Sequence, residues 1–204
     1  MRKIAVVGPG RVGESTAQIL AQQSLCHELV LLGTREGVAR GIALDIQESA
    51  PLFGFDTRVV GGADPALLRD ADLVIITAGQ ARKPGMSRDD LRDANLAVIR
   101  SVVDEVLRFA PQAMVLMVTN PVDVLTYAAW RQTGWPRRRI LGLSGVLDSA
   151  RMASFVAQAS GYSVRDITAM VIGGHGDAMV PLPEYTLSNM PVMGVLSSLK
   201  GENR

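Results

Sequence analysis

The chain has 204 residues, 48% of them hydrophobic and 20% charged, with a formal net charge of +1. That length holds one domain or one and a half. The near-neutral charge gives no electrostatic reason to expect a nucleic acid or another polyanion as partner. Twenty glycines against 4% aromatic residues suit an α/β protein with a core of Val, Ile, Leu and Ala. The single Cys26 excludes an internal disulfide framework and fits a reducing compartment. Met1-Arg2-Lys3 leads straight into a short apolar run, and no stretch is long enough to span a bilayer. A cytoplasmic protein without membrane contact is therefore expected.

Ile4–Val7 is a continuous apolar run, as in a strand covered on both faces. Gly8-Pro9-Gly10-Arg11-Val12-Gly13 follows, and Ser15–Gln22 reads as a helix. This is G-x-G-x-x-G between strand and helix. The first glycine allows the turn, the second lets backbone approach a pyrophosphate, and the third lets the helix pack on the strand. N–H groups at the helix start then face the phosphates. Pro9 removes one donor from the turn.

Glu28–Leu32 reads as the second strand. Where a carboxylate for the ribose hydroxyls is usual, the chain has Gly33-Thr34-Arg35-Glu36. A carboxylate would repel a 2′-phosphate, whereas Arg35 is able to pair with one. Gly33 makes room for it, so NADP is expected in preference to NAD. The alternative leaves Arg35 as a solvated loop charge and gives the ribose to Glu36.

A helix over 38–47, strands over 57–60, 73–77 and 113–118, and a sixth strand over 140–143 continue the alternation. The pattern predicts a doubly wound parallel sheet of Rossmann type, with ligands at the carboxyl ends of its strands. The loop Gln80–Arg88 is either a solvated basic loop or a lid whose arginines close on an anionic substrate. Ser87 and Asp90 have the spacing of a capping box, for a helix running to about Phe109. Asn95 lies on that helix, where the bland reading is a surface residue. Asn120-Pro121 makes a turn at the end of a strand, with a cis peptide allowed.

Asp148 and Arg151 share one face near the start of the next helix, which a local salt bridge would explain. One of only two histidines, His175, follows the apolar run 167–172, read as a buried strand, inside Gly173-Gly174-His175-Gly176-Asp177. It either closes a turn or serves as a general base whose tautomer Asp148 fixes. His27 beside Cys26 finds no further ligand, so no metal site is expected. Neither a Tyr-x-x-x-Lys pair nor G-x-x-x-x-G-K is present.

Taken together, Gly8–Gly13, Arg82–Arg88, Thr119–Asp123, Gly145–Arg151 and Gly173–Leu182 resemble the lactate/malate dehydrogenase family, more closely its malate branch. The resemblance implies an enzyme interconverting malate and oxaloacetate by hydride transfer. His175 would exchange the proton, paired with Asp148. Arg151 would grip the carboxylate beside the reacting carbon, Arg88 would polarise the carbonyl, and Asn120 would bond the substrate. Gly8, Gly10, Arg11, Val12, Gly13, Gly33, Thr34, Arg35, Asn95, Val118 and Asn120 would contact the cofactor. Arg82 stands where lactate dehydrogenases resemble one another in a glutamine, and a cation there suits a second carboxylate. The implied organisation is a dinucleotide domain over 1–145 and a partial α+β substrate domain over 146–204. Family members continue past Met193, so the alternative is a short, catalytically impaired dinucleotide-binding fragment. A homo-oligomer is expected to cover the apolar surface left over.

Overall fold

The computed structural model describes residues 1–81 and 84–186, with only the backbone of Arg88 and Tyr185. The chain divides into two compact units, Met1–Gly142 and Leu143–Arg204.

The first unit opens with β1 (Lys3–Val7), α1 (Arg11–Gln22), β2 (Glu28–Leu32), α2 (Glu36–Glu48) and the short α3 (Ala50–Phe53). Then come β3 (Arg58–Gly62), β4 (Leu73–Ile76), α4 (Arg88–Phe109), β5 (Met114–Met117), α5 (Val122–Thr133) and β6 (Ile140–Gly142). The strands form one six-stranded sheet in the order β3-β2-β1-β4-β5-β6, and every pairing is parallel. The order reverses between β1 and β4, and a ligand crevice opens there at the carboxyl ends.

Side chains alternate across a strand, which explains why these strands read as unbroken apolar runs. Ile4, Val6, Leu29 and Leu31 face one cluster with Ala17, Ala21, Ala43 and Ile46 of α1 and α2. Ala5, Val7, Val30 and Ile76 face the other, with Ile99, Val103 and Val106 of α4 and Leu125 of α5. Small residues let α1 lie close: Gly13, Ala17 and Ala21 recur every fourth residue and are all buried. Helix α1 starts at Arg11, earlier than the expected Ser15, because Gly10 serves as its N-cap. At α4 the capping box is complete, with Ser87 Oγ accepting from Asp90 N–H and Asp90 Oδ2 accepting from Ser87 N–H, both at 3.0 Å.

The second unit holds α6 (Gly145–Ser160) and an antiparallel pair, β7 (Val171–Ile172) with β8 (Val180–Pro181). The expected buried strand over 167–172 is only two residues of strand, and Ile172 is 50% exposed. Its partner supplies Pro181, which has no N–H to extend the ladder. Among the described residues no helix is long and apolar enough to cross a membrane.

Candidate active site

The crevice of the first unit, about 690 Å³, is lined by the ends of β1, β2 and β4 and by one face of α4. The fingerprint glycines meet different demands there. Gly8 has φ +106°, a backbone conformation that L side chains rarely adopt. A Cβ on Gly13 would run into Gly8 O and stand 2.8 Å from Thr77 Oγ1, so helix and turn touch only through a glycine. Gly10 has open space where a side chain would stand, and it lines the crevice. Helix α1 has no side-chain cap at Gly10, which leaves first-turn donors for an anion. A dinucleotide fits this cradle. Pro9 costs the turn a donor, while Gly10 N–H closes the turn onto Gly8 O at 2.8 Å.

Gly33 has a different explanation from the one expected. A Cβ on it would collide with the ring of Pro9, 2.6 Å from Cδ. The missing side chain is thus accounted for by packing inside the fold, without a phosphate. Thr34 and Arg35 line the crevice, and Glu36 is engaged by Arg40 at 3.1 Å.

Asn95 is not a surface residue. It is 1% exposed, and its amide is spent on the backbone of two loops. Its Oδ1 accepts from Gln80 N–H at 2.7 Å, and its Nδ2 donates to Asn120 O at 2.8 Å and to Gln80 O at 3.3 Å. Gly79 lets the loop pass, since a Cβ there would stand 2.5 Å from Thr119 Cγ2 and 3.0 Å from Asn95 Oδ1. Thr119 Oγ1 donates to Ala78 O at 2.7 Å, and Thr77 Oγ1 to Gly8 O at 2.8 Å. These two threonines join the carboxyl ends of β1, β4 and β5. Sequence reasoning missed them, because a lone threonine after a strand carries no pattern. Asn120 is exposed, its peptide to Pro121 is cis, and its Oδ1 accepts weakly from Val122 N–H at 3.4 Å. Val118 is partly buried and packs on the sheet core.

In the second unit Asp148 sits in the first turn of α6, 6% exposed. Its Oδ2 is 2.7 Å from His175 Nδ1, and its Oδ1 accepts from Arg151 Nη1 at 3.3 Å. A carboxylate only accepts, so Nδ1 carries the hydrogen, and in the neutral ring that tautomer has its lone pair on Nε2. The His175 side chain is 15% exposed, on a loop held by Gly173 at φ +93°, where a Cβ would strike Ala178 O. Ser149 Oγ ties the loop's strand to α6 by accepting from Val171 N–H at 2.9 Å. Asp148 thus forms a local salt bridge with Arg151 and contacts the imidazole of His175 with its other oxygen. Arg82 and the side chain of Arg88 lie outside the described residues. Among the described residues no group of His, Cys, Asp and Glu is placed to hold a metal ion.

Residues 2–142 match the NAD binding domain model of lactate/malate dehydrogenases, and 145–203 match the model of their alpha/beta C-terminal domain. The chain belongs to the lactate/malate dehydrogenase family. A malate dehydrogenase of Thioalkalivibrio sulfidiphilus (strain HL-EbGR7) is 63% identical, the match covering 97% of this chain and 64% of that protein. Among solved structures, the apo malate dehydrogenase of Picrophilus torridus superposes with a TM-score of 0.91 at 39% identity, over 98% of this chain and 64% of its own. A lactate dehydrogenase of Cryptosporidium parvum, complexed with lactic acid and nicotinamide adenine dinucleotide, reaches 0.89 at 37%, over 97% and 62%. The fold alone therefore does not separate lactate from malate within the family. The chain spans 62–64% of the length of the first curated relatives it matches.

Proposed function

We propose that the protein is an oxidoreductase interconverting malate and oxaloacetate, with a nicotinamide dinucleotide held at Gly8–Gly13. The observation that carries the reading is the 2.7 Å contact of His175 with buried Asp148. With Nδ1–H donated to Asp148, Nε2 takes the proton of the substrate hydroxyl, and the carboxylate stabilises the imidazolium that forms. In the reverse direction the same nitrogen returns the proton to the carbonyl oxygen. Arg151, already beside Asp148, holds the carboxylate next to the reacting carbon. Bound nicotinamide supplies the hydride acceptor. Arg82 favours a second carboxylate, and the high identity to a protein named malate dehydrogenase points the same way. Arg88 is assigned to the carbonyl by the family resemblance.

The cofactor reading is NADP over NAD. It rests on Arg35 and Thr34 in the crevice lining and on Glu36 being engaged by Arg40. A cytoplasmic location and a homo-oligomer belong to the same reading, the oligomer supported by exposed Ile19, Leu44, Leu52 and Phe53 on α1 to α3.

One experiment tests the whole: reduction of oxaloacetate and of pyruvate by the purified chain, each with NADPH and NADH, beside its Arg35→Asp variant. Oxaloacetate turnover with NADPH favoured is expected, and Arg35→Asp should shift the NADPH/NADH ratio of kcat/KM toward NADH by about 10- to 100-fold. Equal use of pyruvate would remove the malate assignment. An unmoved ratio would remove the role of Arg35. Dinucleotide binding without any turnover would make the chain a binding fragment.

A further inference from the structure

Val98, Ser101, Val102 and Glu105 recur at the spacing that places side chains on one side of a helix, and all line the crevice. The lining also includes Leu32 at the end of β2 with Gly33–Arg35 after it, Ala63 after β3, and Pro65 and Leu68 on the turn that follows. It draws nothing from β5 or β6. In a doubly wound sheet of this order, that is the half that receives the adenosine. Aliphatic walls of Val38, Leu68, Val98 and Val102 suit the faces of a flat heteroaromatic ring.

Glu105 is the anomaly in this wall. Its Oε2 is enclosed, with no hydrogen-bond donor on it among the described residues. Buried polar atoms are nearly always paired, and leaving a carboxylate oxygen unserved is costly. We infer that Glu105 is a specificity-determining residue for the dinucleotide: its carboxylate accepts a hydrogen bond from the exocyclic amine of the adenine ring. The inference rests on the crevice being the dinucleotide site. A partial turn about Cγ–Cδ moves the carboxylate oxygens toward the ring without moving the helix. An adenine amine donates, which a carboxylate needs. The 6-oxo group of a hypoxanthine ring only accepts and would face the carboxylate lone pair to lone pair.

The test is a fluorescence titration of the 204-residue chain with NADH and with reduced nicotinamide hypoxanthine dinucleotide. The same titration is made on Glu105→Ala and Glu105→Gln. The unaltered chain should bind NADH about tenfold more tightly than the hypoxanthine form, the difference expected of one hydrogen bond to a charged group. Glu105→Ala should bring that ratio close to one by weakening NADH. Glu105→Gln should also bring it close to one, but by strengthening the hypoxanthine form, because a carboxamide can donate as well as accept. That gain of affinity cannot come from a damaged fold. A ratio that stays the same in both variants overturns the role of Glu105 and leaves the dinucleotide site standing. Failure of every protein to bind either dinucleotide, and NADPH as well, overturns the site itself.

Discussion

His175 and Asp148 show how little chemistry a single side chain decides alone. A histidine in a glycine-rich loop is an ordinary turn residue until a carboxylate fixes which nitrogen bears the hydrogen. The 2.7 Å contact to Asp148 does that, and burial to 6% exposure keeps water from competing for the carboxylate. An amide in place of Asp148 is able to donate to Nδ1 and put the hydrogen on Nε2, where it blocks proton acceptance. Asp148→Asn should therefore lower kcat by about 10²- to 10⁴-fold, as tautomer errors do elsewhere. His175→Asn should abolish turnover. In both variants NADH affinity, measured by fluorescence titration, should stay as it was, because the proposed dinucleotide site at Gly8–Gly13 lies in the first unit. Loss of that affinity along with turnover would make the pair structural.

Between elements, Asn95 has the central place. Helix α4 is anchored at its start by the Ser87–Asp90 box, and within it Asn95 clamps the loop after β4 to the turn after β5. A polar side chain this deeply buried is tolerated because its amide oxygen and nitrogen both find backbone partners. Asn95→Ala leaves Gln80 N–H and Asn120 O without their bonds, at a cost of about 1–3 kcal/mol. Asn95→Asp restores an acceptor for Gln80 but sets a carboxylate oxygen against the Asn120 carbonyl, and should be no better. Both should lower the thermal midpoint and weaken NADH, since the loop after β4 that Asn95 holds lines the crevice. Unchanged dinucleotide affinity in a destabilised Asn95→Ala would confine Asn95 to a stability role.

Across the first unit, stability is also tied to pH through its amino-terminal edge. Asp72 Oδ2 accepts from the backbone N–H of Arg2 at 2.6 Å and of Lys3 at 2.9 Å, fastening the start of β1 beside β4. The Lys3 N–H in particular, with that of Arg2, holds the Asp72 carboxyl below the usual aspartate range. A carboxylate with a lowered folded pKa stabilises the fold above its unfolded value, near roughly pH 3.9, and loses that contribution as pH falls through the folded value. Asp72→Asn should therefore be less stable at pH 7 by about 1 kcal/mol, discounted for exposure, a fall of roughly 2–4 °C in Tm. The gap should close in acid, where the original residue is itself protonated. Thermal melts of both proteins across that range decide it.

Much of this architecture was legible along the chain. Apolar runs, the Gly8–Gly13 spacing, the Ser87–Asp90 box and the alternation of strand and helix are rules between near neighbours, so the chain states them locally. The packing demand at Gly33 is not legible for the opposite reason: the atoms that exclude a side chain there belong to Pro9, on another strand's turn. Asn95 looked like a surface residue because nothing nearby announces Gln80 and Asn120 as its partners. The unserved oxygen of Glu105, the threonine links and the two-residue length of β7 were likewise out of reach. Periodicity and turn chemistry are short-range properties and survive in one dimension. Which distant groups meet, and which buried atom goes without a partner, is settled when the strands take their order in the sheet and close-packing leaves each side chain one place to go.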